Sequence, residues 1–256
     1  MSTPPFTGVG VALLTLFHDD GSLDAEATAD LAGRLVDCGV RAVLVAGSTG
    51  EAMTLSPEER VSLVRTVRTA LPSTIPVIAG TGSATGAQAA ELTRAAVDAG
   101  ADAVLALSPP LVADPRPYFD TVAKACAGTP LLGYHFPTVS APGIPVDVLP
   151  DLPIDGLKDS SADPERLLQE MAGFSGALYV GSSAILTMAG AVGADGAILT
   201  LANARPELCV EAFGGDGAAQ VRLVEDHLLS GRNRPLGIKK LVASRFGTST
   251  AARLGT

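Results

Sequence analysis

The sequence predicts an α/β fold, a single (β/α)8 TIM barrel with a short C-terminal helical extension. Eight short, mostly aliphatic runs alternate with longer helical patterns along the whole chain. These runs are apolar on both faces, as parallel strands covered by helices are. Three glycines are placed to end helices: Gly39, Gly100 and Gly193. The spacings between them are 61 and 93 residues, close to two and three βα units of ~31 residues each. Eight such units in a chain of this length favour a closed barrel.

We predict the eight strands at residues 9–16, 42–46, 76–80, 103–107, 131–135, 154–158, 177–181 and 196–201. The apolar stretch 184–204 is long enough to suggest a membrane span, but Asp195 and the turn at 193–196 divide it into a helix, a turn and a strand. An open, doubly wound sheet is the alternative fold. In both folds the chemistry is expected at the carboxyl ends of the strands.

The domain organisation follows from the same pattern. Residues 1–202 are predicted to form the barrel through strand eight, and residues 203–256 the last barrel helix and the C-terminal helical extension, within one domain. Helix starts are marked by a capping box at 56–59 and by Asp-Pro pairs at 114–115 and 163–164. No linker or low-complexity segment interrupts the chain.

Composition restricts the function classes. The net charge is −9 with no run of Lys or Arg, which argues against nucleic acid and anionic membranes as partners. The three cysteines, Cys38, Cys126 and Cys209, are far apart and indicate free thiols in a reducing compartment. The first ten residues lack a signal-peptide pattern, so a cytoplasmic location is expected. The three histidines do not cluster, and no metal site is predicted.

Three predicted strand ends carry residues suited to chemistry. After strand two comes Gly47-Ser48-Thr49-Gly50-Glu51, strand five ends near Tyr134, and strand six ends at Lys158. The glycines of the turn let backbone N–H groups approach a ligand, and its two hydroxyls add donors, which suits a carboxylate or phosphate. An ordinary strand-to-helix turn is the alternative interpretation.

Lys158 is one of four lysines and stands at a strand end. Enclosure there would lower its pKa and make it a nucleophile. A structural ion pair with Asp155 or Asp159 is the competing interpretation. Tyr134 alone is a weak signal, because a strand-end tyrosine often binds a backbone group.

The glycine-rich segment 80–86 superficially matches a dinucleotide fingerprint. Its spacing is GxGxxxG, however, and a lone match of this kind is weak. Capping of the following helix by Ser83 or Thr85 is favoured instead.

Three motifs together, Gly-Ser-Thr-Gly-Glu at 47–51, Tyr134-x-x-Pro137 and Gly156-x-Lys158, carry a family resemblance. With them the chain resembles the dihydrodipicolinate synthase and N-acetylneuraminate lyase superfamily of class I, Schiff-base pyruvate aldolases. The match also includes segments 79–82 and 193–203, and so runs through nearly the whole barrel.

The resemblance implies a mechanism and its residues. Lys158 forms an imine with a 2-oxo acid, Tyr134 moves the proton together with Ser48, and Thr49 binds the substrate carboxylate. No cofactor or metal is implied beyond the covalent lysine imine. The further candidate substrate-binding residues are Gly47, Gly50, Thr138, His135, Ser182 and Ile198. The expected partners are a small 2-oxo acid and an aldehyde, and the chain is expected to form a homo-oligomer, a dimer or tetramer.

The chain departs from the synthase branch at three places. Leu111 stands where synthases carry a relay tyrosine, the segment 138–140 lacks the arginine that binds aspartate semialdehyde, and His135 replaces an asparagine. The turn is similar to that of sialic acid lyase, and Pro137-Thr138 to that of 2-keto-3-deoxygluconate aldolases. We therefore expect a 2-keto-3-deoxy sugar acid aldolase with poor dihydrodipicolinate synthesis. The alternatives are dihydrodipicolinate synthase, a Schiff-base dehydratase or hydratase-aldolase, and a non-catalytic binding protein on the same fold.

Overall fold

The structure is a computed structural model and describes residues 3–254. Residues 1, 2, 255 and 256, at the outer ends of the two predicted segments, lie outside the described residues. Eight parallel strands close into a barrel in sequence order, with β1 paired to β8. They are β1 Gly8–Ala12, β2 Val43–Val45, β3 Val77–Gly80, β4 Ala103–Leu107, β5 Leu131–His135, β6 Gly156–Asp159, β7 Ala177–Val180 and β8 Gly196–Leu199. The predicted (β/α)8 barrel is confirmed.

Strand boundaries differ from the prediction mainly in β1. The apolar run continues to Leu16, but the strand ends at Ala12. Past this point side chains take over the backbone donors: Leu14 N–H donates to Asn203 Oδ1, and Leu16 N–H to Thr28 Oγ1, each at 3.0 Å. Hydrophobicity therefore marks the buried segment, whereas the ladder stops earlier.

Helices cover the outside of the barrel. Those described are α1 Ala25–Asp37, α2 Pro57–Ala70, α3 Gly86–Asp98, α4 Arg116–Ala123, α5 Pro164–Gly173, α6 Leu186–Ala191, α7 Pro206–Phe213, α8 Gly217–Arg222, α9 Val224–Arg232 and α10 Leu236–Phe246. Between β5 and β6 the connection contains a 3-10 segment, Val146–Asp151, with Pro150 inside it. Helices α8 to α10 follow the last barrel helix, α7. Of the helices in residues 3–254, none combines the length and apolarity that crossing a membrane requires.

Most of the residues predicted to start or end helices are found at helix ends in the structure. Ser56 and Glu59 form the capping box of α2, and Asp163 caps α5. Asp114 instead accepts from Arg116 N–H and leaves Pro115 at the cap position of α4, one residue later than predicted. Gly39, Gly100 and Gly193 have φ of 98°, 95° and 87°, the left-handed region that glycine enters without a Cβ penalty.

Buried side chains form two layers, one inside the barrel and one between the barrel and its helices, and only the inner layer faces the site. Leu132, Tyr134 and Phe136 point into the barrel, where they pack with Tyr179 and Ile198. Residues at alternate positions, such as Leu131, pack outward against the helices. Side chains of a strand alternate between the two faces. Each buried aliphatic side chain contributes about 1.5–3 kcal/mol, so this register is firmly set.

Candidate active site

Lys158 and Tyr134 lie side by side at the carboxyl end of the barrel. Parallel pairing of β5 with β6 places Tyr134 opposite Lys158. The Nζ atom of Lys158 is 4.3 Å from the centroid of the tyrosine ring. Both side chains are buried, with 4% and 5% of their surface exposed. A phenol and an amine are thus held together out of bulk water.

Burial changes the acidity of the amine. Loss of hydration, together with the positive charge of Arg234, lowers the pKa of Lys158 from 10.5 to about 7. The two carboxylates considered as ion-pair partners bind elsewhere: Asp155 Oδ2 accepts from Leu131 N–H, and Asp159 accepts from Ser161. At neutral pH a large fraction of Lys158 is therefore the free amine.

Tyr134 remains protonated at neutral pH, because burial raises its pKa to about 12. The Ser160 hydroxyl donates to the Tyr134 hydroxyl at 3.4 Å. Three effects partly offset the rise in the pKa of Tyr134: hydrogen bonds with Ser160 and Ser48, and the positive charge of Arg234. Sequence reasoning missed Ser160, although it stands two residues after Lys158 and so faces the same side of the strand.

The turn after β2 lies next to the end of strand eight, since only β1 separates these two strands in the barrel. Residues Ser48–Gly50 form a single 3-10 turn, and the hydroxyls of Thr49 and Thr200 are 2.6 Å apart. Thr15 Oγ1 donates to the carbonyl of Gly50 at 2.7 Å. A Cβ at Gly50 would stand 2.9 Å from Thr15 Oγ1 and 3.0 Å from the Leu13 carbonyl oxygen. This close approach therefore requires glycine. Sequence reasoning assigned Thr49 and Gly50 to the site but not Thr200.

The turn is held from behind by the end of the chain. Glu51 is buried, with Oε1 2.6 Å from Lys239 Nζ. Its Oε2 accepts from the backbone N–H groups of Arg253 and Leu254, both at 2.8 Å. We call Lys239, Arg253 and Leu254 the C-terminal clamp. No local sequence signal pointed to it, because the partners are about 200 residues apart along the chain.

His135 does not join the other predicted residues. It follows Tyr134 on β5 and therefore points out of the barrel, where Nδ1 accepts from Ile144 N–H at 2.9 Å. Burial lowers its pKa to about 4, so the ring is neutral. Its Nε2 lies 4.0 Å from Asp159 Oδ1, also on the outer side. The alternation of strand side chains thus separates His135 from Lys158, and its role in substrate binding stays a prediction.

The remaining predicted residues are spread around the mouth. Gly47 packs against Leu44 at the start of the turn, and Thr138 is exposed in the loop after β5. Ser182 Oγ accepts from Ala184 N–H at 3.2 Å, just after β7. Ile198 is buried in the barrel interior. Thr85, as expected, caps α3 by accepting from Gln88 N–H, so the glycine-rich segment begins a helix.

A cation that sequence reasoning missed stands above the aromatic residues of the site. The Arg234 guanidinium lies 5.7 Å from the centroid of the Phe136 ring. Phe136 in turn stacks on Tyr134, with centroids 5.7 Å apart and an interplanar angle of 24°. Amine, phenol, phenyl and guanidinium thus follow one another from the barrel end to the surface.

Within 3–254 there is no group of three or more His, Cys, Asp and Glu side chains placed to hold a metal ion.

Comparison with known proteins places this geometry in a family. The sequence model of the dihydrodipicolinate synthetase family matches residues 5–227. A 4-hydroxy-tetrahydrodipicolinate synthase of Synechococcus sp. is 35% identical over 237 residues, covering 87% of this chain and 78% of that protein. The corresponding synthase of Corynebacterium urealyticum is 34% identical, over 77% of this chain and 68% of the relative.

Solved structures that superpose on this chain point to the same family. A dihydrodipicolinate synthase from Aquifex aeolicus superposes with a TM-score of 0.89 at 28% identity, covering 97% of this chain and 91% of that one. A Bacillus anthracis dihydrodipicolinate synthase gives 0.89 at 26% identity, over 99% and 93%. Because the family match spans most of the sequence and the relatives share a third of their residues, the chain belongs to the dihydrodipicolinate synthetase family and is a carbon–carbon lyase of the Schiff-base-forming class.

Proposed function

We propose that the chain joins pyruvate to an aldehyde, or cleaves the product, through an imine on Lys158. The observation that carries the proposal is the buried amine, with a pKa of about 7, beside the Tyr134 ring. A buried, partly neutral lysine is the form of that side chain that attacks a carbonyl.

The covalent sequence begins with the free amine. Lys158 adds to the C2 ketone of the 2-oxo acid, and the carbinolamine loses water to give an iminium ion. Loss of a C3 proton produces an enamine, and C3 then bonds to the aldehyde carbon. Hydrolysis releases the product, and cleavage follows the same steps in reverse. The iminium is the electron sink, so we propose that no metal or cofactor takes part.

Tyr134 is proposed to carry the protons. Its ring lies 4.3 Å from Lys158 Nζ, and its hydroxyl accepts a hydrogen bond from Ser160 at 3.4 Å, with Ser48 also contributing. With a pKa of about 12 it begins as an acid, able to donate to the hydroxyl that leaves the carbinolamine. The two serine hydroxyls can return or pass on that proton.

The turn at 47–50 is proposed to bind the carboxylate of the 2-oxo acid. The first N–H groups of a helical turn have no acceptor inside it, which leaves those of Ser48 and Thr49 to an anion. The Thr49 hydroxyl is positioned by Thr200 at 2.6 Å. Oriented backbone dipoles of this kind favour a negative charge.

Two aldehyde partners are supported by different observations. The notable features of the loops, Leu111 with 92% exposure and the uncharged segment 138–140, favour a 2-keto-3-deoxy sugar acid. The identity with 4-hydroxy-tetrahydrodipicolinate synthases favours aspartate semialdehyde instead. Steady-state kcat/KM for both reactions decides between them, and whichever is higher by tenfold or more identifies the reaction.

The test of the proposal itself is reductive trapping. Borohydride added in the presence of pyruvate should give a mass increase on the peptide that contains Lys158. Absence of the adduct, with the fold intact by circular dichroism, would contradict imine chemistry and favour a binding protein. Turnover by dehydration without any change in carbon skeleton would assign a dehydratase.

We also propose that the chain acts as a homo-oligomer, a dimer or tetramer. Light scattering during size-exclusion chromatography measures the mass directly. A single species of one chain would contradict this.

A further inference from the structure

Arg234 occupies the connection between α9 and α10, outside the barrel itself. Its side chain is exposed, yet its guanidinium rests on the face of Phe136, a residue of the barrel interior. This packing fixes the position of an otherwise flexible side chain, because arginine stacks favourably on aromatic rings. The C-terminal extension thus brings a cation to the mouth of the barrel.

The charge of Arg234 acts on three groups around that mouth. It lowers the pKa of Lys158, of Tyr134 and of His227. These residues belong to β6, β5 and α9, so the guanidinium lies near the opening that a substrate must pass.

Arg234 has no anionic partner among the described residues, whereas six of the other thirteen arginines have one. Elsewhere in the described part of the chain, ion pairs occupy Arg68, Arg116, Arg166, Arg205, Arg245 and Arg253. Within residues 3–254 no carboxylate lies within ion-pair distance of the Arg234 guanidinium, whose recorded contact is the Phe136 ring. The nitrogen atoms around its edge can therefore donate to a planar anion, while its face stays on the ring.

We propose that Arg234 binds an anionic group, a carboxylate or a phosphate, at the end of the aldehyde substrate remote from Lys158. The proposal rests on the proposed function, since it places the aldehyde between Lys158 and the surface. It also names a chemical class of substrate: an aldehyde, or its 2-oxo acid condensation product, with a charged tail.

The geometry assigns different anions to the two ends of the site. The carboxylate of the 2-oxo acid must lie within one bond of the carbon attacked by Lys158, and the turn at Thr49 serves it. Two stacked rings, Tyr134 and Phe136, lie between the amine and the guanidinium, with centroids 5.7 Å apart. Only the far end of an extended second substrate reaches Arg234.

The position of Arg234 offers a physical explanation for the missing arginine in segment 138–140. That segment carries no positive charge, and Val139 is half exposed. Arg234 supplies a cation to the same side of the mouth, next to the loop that follows Phe136. An anionic aldehyde therefore has a partner that the barrel loops alone do not offer, and its desolvation is offset.

The test compares Arg234→Ala and Arg234→Lys with the matched control Arg232→Ala, an exposed arginine two residues away. The second substrates are aspartate semialdehyde, glyceraldehyde 3-phosphate and the neutral glyceraldehyde, each with pyruvate. Loss of a charge-assisted hydrogen bond corresponds to about tenfold or more in affinity. We expect Arg234→Ala to raise KM for an anionic aldehyde about tenfold or more, Arg234→Lys to raise it less, and Arg232→Ala to leave it unchanged.

The two anionic aldehydes distinguish a carboxylate tail from a phosphate tail. A larger loss with aspartate semialdehyde assigns a carboxylate tail, and a larger loss with glyceraldehyde 3-phosphate assigns a phosphate tail. Equal losses with glyceraldehyde and the anionic aldehydes would overturn the proposal, as would unchanged KM in Arg234→Ala. A purely structural role would affect all aldehydes alike.

A second measurement does not depend on turnover. Titration calorimetry with succinate and with inorganic phosphate compares the wild-type chain with Arg234→Ala. We expect binding of at least one of them to weaken about tenfold, and equal binding of both would contradict the role of Arg234. Failure of the proposed function gives a different result, no borohydride adduct with pyruvate in either protein.

Discussion

The ammonium group of Lys239 lies 2.6 Å from the carboxylate of Glu51, and both side chains are fully buried. Burial lowers the pKa of Lys239, and the carboxylate opposes that shift. Glu51 has φ of 57° and immediately follows the turn at 48–50. A buried ion pair therefore supports the segment proposed to bind the substrate carboxylate.

Glu51→Gln should destabilise the protein by about 3–5 kcal/mol, because the buried ammonium of Lys239 loses its counter-charge. Urea unfolding monitored by circular dichroism measures the change. KM for pyruvate should rise as well, since the turn loses its support. Glu91→Gln, at an exposed position on α3, is the control and should change neither quantity. A stable Glu51→Gln protein with unchanged KM would show that the turn holds without the clamp.

Lys158→Ala should abolish the reduced pyruvate adduct and turnover. No other lysine stands beside Tyr134, and peptide mapping should locate the wild-type label on Lys158. Lys240→Ala, an exposed lysine on α10, should label and turn over normally. A label on Lys124, Lys239 or Lys240 of the wild-type protein would contradict the assignment.

Tyr134→Phe should lower turnover by about 10²-fold or more, within the usual range for acid–base groups. The ring, and with it the stacking on Phe136, is retained. Pyruvate trapping should be less affected than turnover, because the carboxylate contacts remain. Tyr118→Phe, a buried tyrosine on α4, is the matched control and should keep its activity. Full activity of Tyr134→Phe would assign the proton to another group.

The rate of imine formation should rise with pH around pH 7 and level off above it. The reason is that the pKa of Lys158 is about 7: below it the amine is protonated and not nucleophilic, and above it the amine is free. Removing the charge of Arg234 should raise the pKa of Lys158 and move this profile to higher pH. Trapping rates measured from pH 5 to 9 test both statements, and identical profiles would contradict the second.

His135→Ala should cost stability rather than chemistry. The imidazole accepts from Ile144 N–H in a buried position, and an unsatisfied buried donor costs about 1–3 kcal/mol. Turnover at a temperature where the variant is folded should stay within a few-fold of the wild type. A loss comparable with that of Tyr134→Phe would return His135 to the site.

The sequence predicted what depends on local pattern. Strand ends at Tyr134 and Lys158 follow from hydrophobic runs, and the capping box of α2 from four adjacent residues. The outward direction of His135 could have been foreseen, because an inward Tyr134 requires its neighbour to point outward. Arg234 and the C-terminal clamp could not be predicted, since each reaches the site from the extension, far in sequence from the strand ends. Their placement depends on how the extension packs, which no local periodicity encodes. Thr200 could have been found, because it lies near the carboxyl end of predicted strand eight.

The contact between Glu51 and the end of the chain also bears on how the protein is made. The turn at 48–50 leaves the ribosome early, whereas its partners at 253 and 254 follow 202 and 203 residues after Glu51. The N-terminal part of a nascent chain folds first, so the carboxylate of Glu51 is satisfied only once residues 253 and 254 have left the ribosome. A chain stalled before α10 can assemble barrel strands but leaves this acid without its buried partners. The turn at 48–50 therefore gains this support only after residues 253 and 254 have been synthesised.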